Sequence, residues 1–346
     1  MTPLLTIAIP LILSLVLGKI VIAFYTKKGW LDDPKKVNHP KIVHTTPLPR
    51  GGGLVVGIAI AIAILFLIPF SLKIAGIILG SLLLIAIGVW DDIANPHPLI
   101  RLFFQLTASL LVVFSGVTIS YVTNPLGGIL SFQAIPVIGM IIASLWIVWC
   151  MNIVNFSTGL DGQMPGYVAI AALTIALLST RFFPDPEQFT VFHLALIVMG
   201  AYLGFLYWNM YPQKMMAGFG ASTLAGFFLA VLSILSGAKL ATAILVLAIP
   251  MSDAGYVIFR RLLQKKSPFW GDRTHLHHAL LDTGLSKRMV ALIYWLTALF
   301  LGLLALNLSS GQKTFAILLI IAVVCMIGTW LRMGFTSFVK SGPDSG

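Results

Sequence analysis

The chain has 346 residues, of which 58% are hydrophobic and only 10% are charged. Soluble domains carry about 25% charged residues, so the composition excludes a water-soluble protein and predicts an all-α polytopic membrane protein. The net charge is +11, but the basic residues are divided among many short loops, which argues against a nucleic-acid partner. The two cysteines, Cys150 and Cys325, lie in apolar runs and predict packing residues rather than a disulfide.

Eleven apolar segments predict membrane-spanning helices, each of which needs about 20 residues. They lie at roughly residues 4–24, 53–70, 72–90, 101–122, 134–154, 165–181, 191–208, 222–236, 238–258, 289–308 and 312–331. We expect the first segment to be a retained helix, because no basic region precedes it as in a signal peptide. Residues 1–346 are interpreted as a single membrane domain, and a small hairpin is expected at residues 124–132.

The distribution of charge predicts the orientation. With the N-terminus outside and the C-terminus inside, seventeen Lys and Arg residues fall on the inner side and four on the outer side, as the positive-inside rule requires. Nine of the eleven acidic residues and six of the seven His also fall at the inner face. Because Asp and His are expensive in lipid, we expect a polar active site on the cytoplasmic loops of a plasma-membrane protein.

The pair Asp91-Asp92 directly follows the apolar run that ends at Trp90. Adjacent carboxylates repel each other unless a cation lies between them, so this pair is a candidate Mg²⁺ or base site. A solvated helix end is the alternative interpretation.

The segment from Asn152 to Gln163 is rich in Asn, Gly and Asp. Asn152 and Asn155 share a helix face because they are three residues apart. Gly159 and Gly162 flank Asp161 and allow the backbone to approach a ligand closely. A polar turn between two helices remains the alternative.

Two further loops carry charge suited to phosphate. His275, His277 and His278 stand beside Asp272 and Arg273, which favours phosphate binding or proton transfer over zinc, because three crowded His and no nearby Cys make a poor zinc site. Arg50 precedes Gly51-Gly52-Gly53, a turn that is suited to clamping a phosphate. A His cluster without a function and a basic loop that only sets topology are the respective alternatives.

Taken in order, these segments resemble the polyprenyl-phosphate N-acetylhexosamine-1-phosphate transferases, which are glycosyl transferase family 4, the family of the MraY, WecA and TagO enzymes. The resemblance rests on Pro-Arg-Gly-Gly, Gly-x-x-Asp-Asp, Asn-x-x-Asn-x-x-x-Gly-x-Asp-Gly, Pro-x-x-Asp and His-Leu-His-His, from about residue 25 to 290. The His-Leu-His-His form and the eleven spans are similar to the WecA/TagO branch, which uses UDP-GlcNAc.

The resemblance implies transfer of a sugar-1-phosphate, most simply GlcNAc-1-phosphate, from a UDP-sugar to undecaprenyl or another polyprenyl phosphate. UMP is released, Mg²⁺ (or Mn²⁺) is required, the product serves cell-wall or surface-glycan synthesis, and a homodimer is expected. The implied catalytic residues are Asp91, Asp92 and Asp161, with Asp92 and Asp161 near the metal. The implied substrate-binding residues are Arg50, Asn152, Asn155, Asp253, His275, His277 and His278.

The sequence departs from the family pattern at two positions. Thr158 stands where the family has the first Asp of Asp-Gly-x-Asp-Gly, and Phe219 stands where it has the metal-binding Asp of Gly-Asp-x-Gly-Ser. A Phe cannot ligate Mg²⁺ and a Thr is a poor substitute for a carboxylate. The second hypothesis is therefore a catalytically impaired relative that binds a lipid-linked or nucleotide-sugar ligand. A transporter is disfavoured, because almost no ionisable residue other than Lys19 lies in the middle of a predicted span.

Overall fold

A computed structural model describes residues 2–35, 45–124, 128–237, 240–265 and 275–340 of the chain. Almost all of these residues are helical. The helices are α1 (Pro3–Lys28), α2 (Gly52–Leu67), α3 (Leu72–Ala94), α4 (Pro98–Phe114), α5 (Pro136–Ser157), α6 (Gln163–Ser179), α7 (Pro186–Asn209), α8 (Gly218–Leu235), α9 (Leu240–Val246), α10 (Ala248–Leu263), α11 (Leu276–Asp282), α12 (Lys287–Asn307) and α13 (Ser310–Lys340). A 3-10 turn, Thr180–Phe182, follows α6.

Eight spans in the described part of the chain are long and apolar enough to cross a membrane. They are α1, α3, α5, α6 with its 3-10 turn, α7, α8, α12 and most of α13. The bent pair α9–α10 makes a ninth if it is counted as one span, and α2 and α4 are shorter apolar helices. These apolar helices confirm the predicted all-α polytopic membrane protein. Helices suit lipid because each one satisfies its own backbone hydrogen bonds.

The predicted span 238–258 differs from the structure, where α9 and α10 meet at an angle of 81°. Pro250 explains the break. Proline has no N–H and its ring clashes with the carbonyl four residues earlier, which here belongs to Val246, the last residue of α9. Pro250 is instead accommodated in the first turn of a new helix, where a missing N–H costs little.

The predicted span 101–122 is also shorter in the structure, because α4 ends at Phe114 and Gly116 follows with φ +104°. The chain then forms β3 (Tyr121–Thr123), which pairs antiparallel with β4 (Ile129–Ser131). The expected hairpin is therefore confirmed for its strands, while residues 125–127 lie outside the described part of the chain. A second small ladder joins β1 (Leu31–Asp32) to β2 (Leu48–Pro49).

The helix α8 lies at the centre of the bundle, with all but one of its 18 residues buried. It packs against α5, α3 and α2. Glycines allow the closest approach of these helices. The Cα of Gly220 lies only 2.6 Å from the position that a Cβ on Gly53 would occupy, and 2.8 Å from the position that a Cβ on Gly88 would occupy. Small residues at helix contacts are what membrane bundles use to bring backbones together. The contact draws the start of α8 to the start of α2 and the end of α3.

We predict that Gly53→Ala destabilises the bundle, because its new methyl group would overlap the α8 backbone. Overpacking of this kind costs about 1–3 kcal/mol, so thermal unfolding in detergent should occur at a lower temperature. Gly255→Ala is the matched control, because no atom lies within 4 Å of the added Cβ. Equal unfolding temperatures for Gly53→Ala and the unmodified protein would show that α2 and α8 do not approach this closely.

Candidate active site

The carboxylate of Asp91 is fully buried at the end of α3, between two guanidinium groups. Arg101 Nε lies 2.6 Å from Asp91 Oδ1, and Arg50 Nη2 lies 3.7 Å from Asp91 Oδ2. Arg101 comes from the first turns of α4, where it follows His97 and Pro98 at the helix start, and Arg50 immediately precedes α2. Both carboxylate oxygens of Asp91 thus face cations.

The neighbouring Asp92 has a different environment. Its Oδ2 accepts a hydrogen bond of 3.1 Å from the hydroxyl of Tyr25, near the end of α1. Its Oδ1 is buried and has no hydrogen-bond partner. Gly218, with φ +63°, leaves room for this oxygen, because a Cβ there would lie 2.9 Å from it. Asp92 therefore presents one carboxylate oxygen that is held in place and one that is open to a further donor.

Asp161 lies in the loop between α5 and α6, where it contacts a different cation. Lys287 Nζ lies 3.4 Å from Asp161 Oδ1, and the backbone N–H of Gln213 donates to Oδ2 at 3.4 Å. Asn209 fixes the same loop, because its Oδ1 accepts from Gly162 N–H at 3.0 Å and its Nδ2 donates to the carbonyl of Met215. The predicted Asp161 site is thereby tied to residues 209–215.

A third group joins α10 to the start of α11. His275 Nδ1 lies 2.9 Å from Asp253 Oδ2, and Leu276 N–H donates to Asp253 Oδ1 at 2.8 Å. The ring of His275 stacks on Phe156 at 6.3 Å. The ring of His277 stacks in turn on His275 and fills the space beside Gly159. The three predicted His are all buried, and His278 contacts His277. Asp272 and Arg273 lie outside the described residues.

The two predicted asparagines face different neighbours, although they share one helix. Asn155 Oδ1 accepts from Ser222 Oγ at 2.8 Å, which places it beside the first turns of α8. Asn152 Nδ2 donates to Gln105 Oε1 at 3.0 Å and to its own helix at Val148, so its amide group is directed to α4. The structure thus places Asn155 with the central helix and Asn152 in a contact between α4 and α5.

Five residues of these groups had no role in the sequence analysis beyond topology: Tyr25, Arg101, Asn209, Ser222 and Lys287. Arg101 carried a usable signal, because it is the only basic residue between the Asp pair and residue 180. Tyr25 carried none, since hydroxyl groups are frequent in apolar helices, whereas Ser222 occupies the Ser position of the family pattern Gly-Asp-x-Gly-Ser. The predicted residues and these five gather at one end of the bundle, where α3, α5 and α7 end and where α2, α4, α6, α8 and α12 begin.

Comparison with known proteins agrees with this arrangement. The family described as glycosyl transferase family 4 matches residues 74–237. The chain is 30% identical over 331 residues to decaprenyl-phosphate N-acetylglucosaminephosphotransferase of Mycolicibacterium smegmatis, covering 84% of this chain and 80% of that one. The chain belongs to glycosyl transferase family 4.

Two other relatives in this family are similar over more of their length. A probable undecaprenyl-phosphate N-acetylglucosaminyl 1-phosphate transferase of Bacillus subtilis is 28% identical, over 91% of this chain and 87% of its own. An undecaprenyl-phosphate alpha-N-acetylglucosaminyl 1-phosphate transferase of Thermotoga maritima is also 28% identical, over 91% and 93%. The family predicted from the motifs is therefore confirmed.

The two departures from the family pattern have clear local structures. Thr158 Oγ1 donates to the carbonyl of Val154 at 2.6 Å, which is a bond back to its own helix. The ring of Phe219 is 4% exposed, and the guanidinium of Arg101 lies over it, 5.4 Å from the ring centre. Neither side chain offers an anionic oxygen to the groups around Asp91 or Asp161.

The carboxylates do not form a ligand set for Mg²⁺. Asp91, Asp161 and Asp253 each have both oxygens occupied by cationic or N–H groups. In the described part of the chain, no group of three or more His, Cys, Asp or Glu is placed to hold a metal. Asp92 Oδ1 is buried without a hydrogen-bond partner, as are both oxygens of Asp91, which instead form ion pairs with Arg50 and Arg101. The binding of Mg²⁺ by Asp92 and Asp161 therefore remains a prediction. The present partners of the Asp161 carboxylate do not favour it.

We predict that Arg101→Gln destabilises the protein unless Asp91 is neutralised at the same time. Removing one partner of a buried ion pair costs roughly 3–5 kcal/mol, and we expect the lower end because Arg101 keeps part of its side chain exposed. The double variant Asp91→Asn, Arg101→Gln should lose less free energy of unfolding than the two single variants lose together, by about 1–3 kcal/mol. Thermal unfolding of the four proteins of this cycle measures the difference, and additive effects would contradict the pairing.

Proposed function

We propose that the protein transfers GlcNAc-1-phosphate from UDP-GlcNAc to undecaprenyl or another polyprenyl phosphate, releasing UMP. The observation that carries the proposal is the gathering of Arg50, Asp91, Asp92 and Arg101 at one end of the bundle, in a chain similar along most of its length to named transferases. A diphosphate donor and a phosphate acceptor repel each other, and this end of the molecule offers the cations that counter the repulsion.

The reaction requires an oxygen of the acceptor phosphate to attack the donor phosphorus that bears the sugar. A new P–O bond forms there, and the bond to the bridging oxygen breaks, so that UMP departs with the electron pair. We assign Asp92 to the acceptor, because its Oδ1 is unpartnered and Tyr25 fixes its other oxygen. If the acceptor phosphate is protonated, Asp92 takes the proton. Otherwise Asp92 orients a hydrogen-bond donor beside that phosphate. Arg50 and Arg101 then face the phosphates.

The remaining predicted residues are assigned to the nucleotide and sugar. Asp161 with Lys287, and Asp253 with His275, lie at the same end of the helices but in separate groups. We place the donor between them and Asp92, where Asn155 and the His277 ring border the path. Asn152 supports this arrangement through α4 rather than by contact with the donor. Mg²⁺ dependence and a homodimer remain predictions from the family resemblance.

We infer that eleven spans cross the plasma membrane. The eight long spans, the bent pair counted as one span and the two shorter apolar helices together correspond to the eleven predicted segments. With the N-terminus outside, this number places the end of the bundle that holds Asp91 and Asp161 at the cytoplasm, where UDP-sugars are available. Lys73 and Glu187, which pair with each other at the other end, are then on the outer side.

We predict that the purified protein releases UMP from UDP-GlcNAc only when undecaprenyl phosphate is present. Asp92→Asn should lower the rate by at least about 100-fold, the usual contribution of a general base or acid. The assay is run in Mg²⁺, in Mn²⁺ and in EDTA, and UMP is quantified against time. Asp185→Asn is the control, because this exposed carboxylate caps α7 at the opposite end of the bundle and Asn caps equally well.

A second function is favoured by Thr158 and Phe219, which replace two carboxylates of the family motifs. A relative that has lost these groups would bind a nucleotide-sugar or lipid-linked ligand without turnover. The same assay separates the two functions. No UMP release from any UDP-HexNAc, together with measurable ligand binding, would establish the binding protein and overturn the transferase.

We predict that a cysteine at position 131 is modified by a membrane-impermeant maleimide in intact cells, whereas one at position 283 is modified only after lysis. Ser131→Cys and Thr283→Cys are each made in a Cys325→Ser background, and both positions are exposed. Cys150 is fully buried and serves as an internal negative control. The reverse labelling pattern would overturn the inferred orientation.

A further inference from the structure

The cluster formed by Arg50, Asp91, Asp92 and Arg101 also indicates how the phosphates of the donor are bound. Two guanidinium groups share one buried carboxylate, so only part of their hydrogen-bonding capacity is used. Arg50 and Arg101 keep 28% and 23% of their side chains exposed, while Asp91 keeps none. Each guanidinium has five N–H donors in a planar fork that matches phosphate oxygens. The carboxylate therefore fixes two cations whose outer edges are open to a ligand.

Phe219 controls the other face of Arg101. The guanidinium lies over its ring, and stacking on an aromatic ring holds the plane of an Arg while leaving its edge free for hydrogen bonds. Residue 219 lies in the first turn of α8, next to Gly218, where an added Cβ would lie 2.7 Å from the carbonyl oxygen of Arg50 and 2.9 Å from Asp92 Oδ1. The side chain at position 219 itself contacts Arg101, the guanidinium that α4 contributes to the cluster.

The charges of the cluster are balanced, with two Arg and two Asp. A divalent cation would find one open carboxylate oxygen here, Asp92 Oδ1, because both oxygens of Asp91 face guanidinium groups, and one oxygen is a poor ligand set for Mg²⁺. A ligand with two or more phosphate charges, by contrast, meets two oriented cations. A carboxylate at position 219 would reverse this preference for a phosphate ligand over a divalent cation. It would add a third acid to the cluster and would compete with the ligand for Arg101.

We propose that Arg50 and Arg101 form a phosphate receptor that takes the diphosphate ligand without a divalent cation, and that Phe219 is the residue that sets this preference. The proposal rests on the proposed function for the identity of the ligand. It differs from the metal dependence that the family resemblance implies, and it concerns binding rather than the rate of transfer.

The first experiment measures binding of UDP-GlcNAc to the full-length protein in detergent by isothermal titration calorimetry, in EDTA and in Mg²⁺. We expect affinities within about threefold of each other in the two buffers. Arg101→Gln should weaken binding by at least about tenfold in both buffers, since the substitution removes a charge-assisted hydrogen bond to a phosphate. Arg181→Gln, at the opposite end of α6, is the matched control and should bind as the unmodified protein does.

The second experiment changes the preference itself. Phe219→Asp should weaken binding in EDTA by about tenfold or more, and Mg²⁺ should restore part of the loss. Phe219→Leu, which removes the ring without adding charge, should retain binding in EDTA within a few-fold. Binding of Mn²⁺, measured by its electron paramagnetic resonance signal, should be absent in the unmodified protein. Each variant is first checked for folding by its thermal unfolding.

The outcomes separate this inference from the proposed function. Loss of binding in EDTA, or stoichiometric Mn²⁺ bound to the unmodified protein, overturns the metal-free receptor and leaves the transferase in place. Unchanged binding by Phe219→Asp in EDTA overturns the role of Phe219. No binding of UDP-GlcNAc in either buffer overturns the receptor, and it removes the donor on which the proposed function depends.

Discussion

The burial of the Asp91 carboxylate is the constraint on which the arrangement of this end of the bundle depends. An ion moved from water into a protein interior costs several kcal/mol even after relaxation, and it is tolerated only with well-placed partners. Here the partners are Arg101 from the start of α4 and Arg50 from just before α2. Satisfying one carboxylate therefore fixes the end of α3 relative to two other helices. Asp92, the next residue, is oriented by the same contacts and by Tyr25 from α1.

Much of the fold follows from composition, because lipid leaves helices as the simplest way to satisfy the backbone. The apolar segments of the sequence all correspond to helices, although two differ in detail. Hydropathy averages over a window, so it does not register that Pro250 lacks an N–H or that Gly116 takes a left-handed backbone. Those are properties of single residues, and they explain why the segment 238–258 is bent and why α4 ends early.

The sequence was sufficient to predict which residues form the site, but not which of their side chains contact each other. The sequence indicated Asp91, Asp161, Asp253 and His275 through their order and spacing, and the structure shows each of them buried with a partner. The partners come from distant parts of the chain, as Asp161 and Lys287 do, and no local pattern joins them. Arg101 was visible in the sequence as an isolated positive charge, but its partner was not. Its contact with Asp91 depends on how α3 and α4 pack, which periodicity does not determine.

The glycine contact between α8, α2 and α3 connects packing to chemistry. Because Gly53 and Gly88 have no side chains, Gly220 and the first turn of α8 approach the Arg–Asp cluster directly. Residue 219 is carried into that cluster by backbone packing, whatever its own chemistry. In this chain it is an aromatic ring stacked against a cation rather than an acid that would attract one. A helix contact made of glycine thus leaves the charge beside Arg101 to one side chain, so two proteins with this packing can differ in that charge while keeping the same arrangement of helices.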